Sequence, residues 1–438
     1  MANATPENKT KRLIVVALLM AVMVISVLDK TIFAFAGVHI IEELKLTPEQ
    51  FGFVGSAFFF LYSLSGILVG FLANRFPSRW ILVGMASVWT LSQLLVTLTS
   101  SLNALIASRL LLGAGTGPGT AVTQHACFKW FGPTERVLPA SLIQVSIMLG
   151  GLLGAIALPF CINHFGWRMA YLTLAGLSFI WLLCWLAFGA EGSHTSSDDS
   201  TQRTAGQPIK YRYLLLNRTF LWISLMCFLA YLPNALSFSW SAVYMQKGLG
   251  LSAMQAGYVM FVATLCIIIL NLLVSSLSQR ALKKGADLQR SMVWPPMLCC
   301  IVGALGFIAM GTLTSSLVGK LVTFGLGSVL LNAVFAFGMT ITAHISPSEQ
   351  RGAMLAIHVG SMTVAGMFAP WAVGKMITWL GNDIARGFEL SVNGFGLATL
   401  VCALLGLLML TPETTRKRLL ARREGEATST SAAPSLSR

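Results

Sequence analysis

An aspartate and a lysine stand side by side, Asp29-Lys30, inside the apolar run 13–36. An ionised side chain at the centre of a membrane-spanning helix costs about 2.5–3.5 kcal/mol on insertion scales, so it persists mainly where it faces a polar cavity and has work there. Adjacent helix positions point about 100° apart, so the two charges cannot simply face each other, and each needs its own partner. A second cation, Arg109, lies in another apolar run, 102–125. Two cations and one acid in a low-dielectric site can take up an anionic group, with the acid left to carry a proton. Asp29 is therefore the candidate proton carrier, and Lys30 and Arg109 are the candidate anion ligands. Tyr62, Gln144, Asn234 and His358 are further polar positions in apolar runs, suited to hydroxyl or carboxylate groups; Asn332 is a similar lone amide. Each has a plainer reading beside it. Arg109 and Asp29 could pair structurally, Lys30 could reach outward to the interface, and Tyr62 could belong to an aromatic belt. The amides and the histidine could serve helix–helix hydrogen bonds.

These residues need long apolar elements to hold them. The 438-residue chain is 55% hydrophobic and 11% charged, against about 25% charged in soluble domains. Twelve candidate spans follow one another: 13–38, 49–73, 80–100, 102–125, 138–162, 167–190, 219–245, 252–278, 291–313, 317–345, 353–380 and 388–411. Each is long enough to cross about 30 Å of hydrocarbon as a helix. With both termini cytoplasmic, inside segments carry 22 of the 30 Lys and Arg residues, as the positive-inside rule requires. The net charge of +14 is then a topology signal that also favours anionic lipid head groups, and no nucleic-acid partner is expected. A retained first span is expected in place of a cleaved signal peptide after Ala36. Eight cysteines lie scattered without metal or disulfide spacing, and no cofactor is expected. The organisation read from this is an N-terminal tail 1–12, a six-helix bundle 13–190, a polar cytoplasmic linker 191–218, a second six-helix bundle 219–411 and a disordered cytoplasmic tail 412–438.

The two halves echo each other. Arg75 and Arg280 follow the second and eighth spans, and Arg136 and Arg351 follow the fourth and tenth, at offsets of 205 and 215 residues. Internal repeats of this kind mark secondary transporters with a midplane site between the repeats. Gly70, Asn74, Arg75 and Arg79 after span two resemble the best-known signature of the major facilitator superfamily, with Pro77 in a usual glycine place. Leu105, Arg109, Gly113 and Gly115 resemble a second motif of that superfamily. Asp29-Lys30, Tyr62, Trp130 with Pro133-Thr134-Glu135-Arg136, and Phe165-Gly166-Trp167-Arg168 together resemble the anion:cation symporter family. The resemblance implies two pseudo-symmetric six-helix bundles, an all-α membrane protein with the major facilitator fold. It also implies alternating access, with the loop at Gly70, Asn74, Arg75 and Arg79 acting as a cytoplasmic gate. Lys30 stands where that family usually has arginine, which keeps the charge but loses the bidentate fork. Thr116 stands where bacterial members often carry glutamate, so fewer coupled protons are expected.

Span one ends near Val38 and span four begins near Leu102, which puts Asp29 and Arg109 roughly 13 and 10 Å below one face. If both spans line the cavity, the two reach a shared substrate. Asp29 is the one acid placed within the span interiors. The expected function is import of a small organic anion (a sugar acid, dicarboxylate or aromatic acid) by proton symport, in a bacterial inner membrane, as a monomer. The alternative is a small-molecule efflux antiporter, although Gly150-Gly151-x-x-Gly154 fits an exporter motif poorly. An enzyme is not expected: His125 and Cys127 near an aqueous rim have no acid cluster beside them.

Overall fold

The computed structural model describes residues 6–72, 76–98, 100–132, 135–192, 209–347 and 349–431. The first half comprises α1 (Pro6–Leu44), α2 (Pro48–Leu72), α3 (Ser78–Leu98), α4 (Leu102–Thr116), α5 (Gly119–Phe128), α6 (Val137–Phe165) and α7 (Trp167–Phe188). The second comprises α8 (Tyr211–Leu215), α9 (Arg218–Ala235), α10 (Trp240–Val243), α11 (Ala253–Lys283), α12 (Trp294–Ala309), α13 (Leu317–Ile345), α14 (Arg351–Thr363), α15 (Ala365–Trp379), α16 (Ile384–Met409) and α17 (Pro412–Ser431). In hydrocarbon no water satisfies a free N–H or C=O, so apolar runs of this length close their hydrogen bonds within helices. Side chains finish several starts. Ser101, Asn217, Ser316 and Asp383 each accept from the backbone N–H three residues on, and Ser252 and Gln255 form a reciprocal capping box.

Among the described residues, eleven helical stretches are long and apolar enough to cross a membrane. The remaining expected span, 102–125, is split into α4 and α5 at Gly117-Pro118, because proline has no N–H to return and crowds the preceding turn. Other spans are interrupted too. Span seven continues from α9 through a 3₁₀ turn, α10 and a π-helical turn ending at Gly248. Span eleven is α14 followed by α15, broken at Thr363-Val364.

Two bundles result. In the first, α1 packs on α6 and α7, α2 on α4, and α3 on α4 and α7; in the second, α12 packs on α13 and α16, and α9 on α13, α14 and α16. Glycine sets the closest approach: a Cβ on Gly113 would lie 2.0 Å from the Phe58 carbonyl oxygen, so α4 can lie on α2 only without a side chain there. The bundles meet through α2 with α14 and α15, α6 with α11, and α1 with α10.

The two ends of the molecule differ. At the end away from the termini the halves are locked together. A Cβ on Gly52 would stand 2.3 Å from the Pro370 carbonyl, Phe51 meets the edge of Trp240 at 4.8 Å, and the Trp371 N–H donates to Ser56 Oγ at 3.1 Å. Glu42 and Lys247 form an ion pair across the halves. At the end bearing the termini, a cleft of about 650 Å³ separates α5 and α6 from α11.

Two segments expected outside the bundles hold helical structure of their own. The segment expected as a disordered tail, 412–438, runs as helix α17 to Ser431, because Leu419 packs into a small core with Leu214, Phe220, Ile345 and Met354. The end of the expected linker is also built, as α8, with Gln350 exchanging hydrogen bonds with the backbone of Ile209 at 3.0 and 2.7 Å. Residues 193–208 and 432–438 lie outside the described residues.

Candidate substrate site between the two bundles

α1 separates its two charges as the helical angle requires. Asp29 is fully buried and turns into the first bundle, where Gln93 Nε2 of α3 donates to Oδ1 at 2.7 Å and Ser178 Oγ of α7 reaches Oδ2 at 3.5 Å. Lys30 turns the other way and is half-buried. Its Nζ sits 5.8 Å from the centroid of the Tyr62 ring on α2, and no carboxylate lies within ion-pair distance of it among the described residues.

The rings beyond Tyr62 cross from one bundle to the other. Phe59 meets Tyr62 at 6.1 Å, Tyr231 of α9 at 6.0 Å and Phe238 at 6.2 Å, and Tyr231 meets Phe335 of α13 at 5.8 Å. Ser63 and Thr363 share a hydrogen bond of 2.9 Å across the same seam. The Lys30 ammonium therefore stands beside an aromatic, partly polar wall drawn from both halves. Such a wall can hold an anion's charged end at Lys30 and its body against the rings. Tyr231, Phe238 and Phe335 were not singled out by sequence reasoning; only their position in first and fourth helices of the second half, equivalent to α1 and α4, pointed to them.

Arg109 lies behind this wall. It is 1% exposed, with its guanidinium carbon 4.4 Å from the Phe33 centroid and 5.0 Å from that of Phe58. Among the described residues none of its three nitrogens has a hydrogen-bond partner, and Asp29 and Tyr171 are within electrostatic range. The expected arrangement, with Asp29 and Arg109 facing one cavity, is thus not the one present: Phe33 and Phe58 cover the guanidinium, and Asp29 points toward α3 and α7.

The other candidates fall in separate places. Gln144 is exposed and lines the cleft with Gln124, Phe128, Arg136 and Asn271. Asn271 Nδ2 donates to Asn332 Oδ1 at 3.3 Å. Asn234 is half-buried near the end of α9. His358 is fully buried within the second bundle, its Nδ1 3.0 Å from Ser224 Oγ, and it does not join Lys30. Of the expected gate, Asn74 and Arg75 lie outside the described residues, and Gly70 is in the last turns of α2. Among the described residues Arg79 binds within its own half, donating from Nη2 to the Leu186 carbonyl at 2.9 Å and from its N–H to Glu191 at 3.0 Å.

One acid was missed. Glu389 of α16 is buried and paired with Lys320 of α13 at 2.7 Å, while the Tyr244 hydroxyl donates to the same oxygen at 2.8 Å. Asp29 is therefore not the only acid inside the spans. The signal was present, since Lys320 and Glu389 each fall within an apolar run on the same side of the membrane.

The two-bundle architecture has a match at the level of sequence: the Major Facilitator Superfamily family model aligns with residues 19–336. The chain belongs to the Major Facilitator Superfamily. Among relatives within this superfamily, a probable sulfoacetate transporter of Cupriavidus necator is 25% identical over 385 residues, covering 82% of this chain and 85% of that protein. A hexuronate transporter of Bacillus subtilis is 21% identical over 382 residues, covering 85% and 89%. A probable galactarate/D-glucarate transporter of Escherichia coli is 22% identical, covering 87% and 90%. The fold resembles that of a bacterial homologue of the human lysosomal transporter Spinster, with a TM-score of 0.78 at 15% identity over 94% of this chain and 99% of that one. It also resembles a D-xylose-proton symporter, with a TM-score of 0.72 at 16% identity over 92% and 99%.

Proposed function

We propose that the chain imports a small organic anion by proton symport, alternating access between its two bundles, with the termini on the cytoplasmic side of a bacterial inner membrane and one chain as the working unit. The observation that carries this reading is Lys30: a half-buried ammonium with no carboxylate in ion-pair distance among the described residues, beside rings contributed by both halves. A lysine so placed selects for charge, and the aromatic and hydroxyl-bearing wall accommodates the rest of a carboxylate or sulfonate. The relatives named for sulfoacetate, hexuronate and galactarate/D-glucarate agree with that chemistry. Sidedness rests on the basic residues gathered at the termini-bearing end, and the open cleft there is then the inward-facing state.

Asp29 carries the coupling proton in this reading. It occupies the helical position next to Lys30, so occupancy by an anion and protonation of Asp29 act on each other, and that coupling must be reciprocal. Arg109 acts from behind Phe33 and Phe58 as a fixed positive charge. The direct experiment is uptake by reconstituted liposomes from a panel of sulfonates, hexuronates, aldarates and aromatic acids, driven by a pH gradient. Saturable, gradient-dependent uptake of at least one acid is expected, with Lys30→Gln weakening it by about 10²-fold. Asp29→Asn should lose accumulation against a gradient while retaining exchange. Accumulation by Asp29→Asn on a pH gradient alone would remove the proton assignment. Normal uptake by Lys30→Gln would move the anion site elsewhere.

A further inference from the structure

At the end bearing the termini, outside the substrate path, a cup of about 730 Å³ opens where α8, the start of α9 and α17 converge. Four arginines line it, Arg212, Arg218, Arg418 and Arg422, together with Asn217 and Thr414, and among the described residues no acidic side chain does. The cup is built as well as charged. Leu214 and Leu419 anchor α8 and α17 in the small core beneath it, Thr219 and Thr415 share a 2.6 Å hydrogen bond between α9 and α17, and Arg422 stacks over the Tyr213 ring at 4.6 Å. Four guanidinium groups held around one concavity, with no acid among the described lining residues, repel one another, and an anion there relieves that repulsion.

The position says which kind of anion. Arg218 opens the membrane-crossing helix α9, and Met409 closes α16 just before the cup, so the arginines sit at the boundary of the hydrocarbon. Leu216, which lines the cup, is 65% exposed, and Tyr211 and Leu420 beside it are also exposed, offering apolar surface next to the charge. Guanidinium forks match phosphate oxygens bidentately. We propose that this cup is a binding site for the phosphate head group of an anionic membrane lipid in the leaflet on the termini side, with the acyl chains along Leu216 and α9.

The test uses the full chain in neutral detergent, with thermal unfolding read during titration of short-chain phosphatidylglycerol, short-chain phosphatidylcholine or inorganic phosphate. Phosphatidylglycerol should stabilise saturably, since a ligand of the folded state raises the midpoint, and phosphatidylcholine should do so far less. Arg418→Gln with Arg422→Gln should weaken the phosphatidylglycerol response about 25-fold, roughly fivefold for each charge lost at the surface. Arg280→Gln with Lys284→Gln, basic residues at the same end but outside the cup, should leave it unchanged. The pair Arg418→Lys and Arg422→Lys keeps charge and loses the fork, so it should fall between, and it reads the site if the Gln pair does not fold. An equal loss in both Gln pairs would mean diffuse charge attraction and overturn the site. Inorganic phosphate matching phosphatidylglycerol at equal concentration would overturn the lipid assignment in favour of a free-anion pocket. An equal response to the two lipids would overturn both.

Discussion

At the scale of single residues, the sequence identified ionisable groups by their cost in lipid, and the structure distributed them by direction. Lys30 and Asp29 are neighbours in the chain, yet one meets Tyr62 at the seam and the other meets Gln93 and Ser178 inside a bundle. Composition carries the existence of such residues but only the helix phase and the packing carry their facing, which is why Arg109 was expected in the cavity and lies behind two phenylalanines. That burial makes a prediction. A desolvated guanidinium without hydrogen bonds costs stability, and apolar replacement of buried charge is often neutral or stabilising. Arg109→Met should therefore unfold at an equal or higher temperature in detergent while transport collapses; a fall in stability of about 3 kcal/mol or more would make Arg109 a structural cation. Lys30→Arg should behave differently, keeping part of the transport because the charge remains at the seam. The Glu389 pair gives the opposite case. Glu389→Gln strands Lys320, removing a charge partner at a cost of up to about 3 kcal/mol. Adding Lys320→Met should recover most of that loss in thermal unfolding, and no recovery would mean that Tyr244, not Lys320, is the partner that matters.

At the scale of elements, the twelve spans were legible because lipid leaves apolar backbone no alternative to helix, whereas the breaks were not. Gly117-Pro118 splits the fourth span, and the second half bends at Thr363-Val364 within a run whose hydropathy is unbroken. The tail helix α17 was hidden for the reverse reason: its composition is polar, and it is held by buried Leu419 with its few neighbours and by the Thr415–Thr219 hydrogen bond. An acid just past the end of α7 ties it to the start of α3 and the end of α5. Glu191 accepts from the backbone N–H groups of Ser78 and Arg79 at 3.1 and 3.0 Å and pairs with Lys129. Partial burial works against its charge, but the Lys129 ammonium and the two N–H donors outweigh it and hold its carboxyl below the ordinary glutamate range. A depressed folded-state value stabilises above the unfolded value and is lost as pH falls through the folded one. Glu191→Gln should thus lower the unfolding temperature modestly at pH 7, by about 1 kcal/mol or less for so exposed a pair. The gap between the two proteins should close as acid protonates the wild-type carboxyl. A gap that persists at acid pH would assign the effect to hydrogen bonding by the side chain rather than to its charge.

At the scale of the whole molecule, the two ends hold unequal contacts, and transport requires that inequality to reverse. The end away from the termini is closed by α2 against α15, where Gly52 abuts Pro370, and by the Glu42–Lys247 pair across the halves. That ion pair is half exposed, with side chains 55% and 45% accessible, so it contributes about 1 kcal/mol at most; the backbone-close packing of α2 on α15 supplies the rest of the latch. Opening that end must separate Gly52 from Pro370 and, in exchange, bring α5 and α6 toward α11, closing the cleft that Gln144 lines. One experiment reads both ends together. In a background without the eight native cysteines, none of which is paired, Glu42→Cys and Lys247→Cys can be bridged by a thiol cross-linker about as long as the lysine–glutamate pair it replaces. Bridging should abolish uptake reversibly, because it fixes the latched end. A third cysteine at Gln144 should then react steadily with a membrane-impermeant maleimide supplied from the termini side, at a rate no longer altered by substrate. Without the bridge, substrate and a pH gradient should slow that reaction by drawing molecules into the opposite state. Uptake that survives the bridge would show that the halves exchange access without parting at Glu42 and Lys247. A Gln144→Cys reaction that still responds to substrate after bridging would show that the two ends open independently.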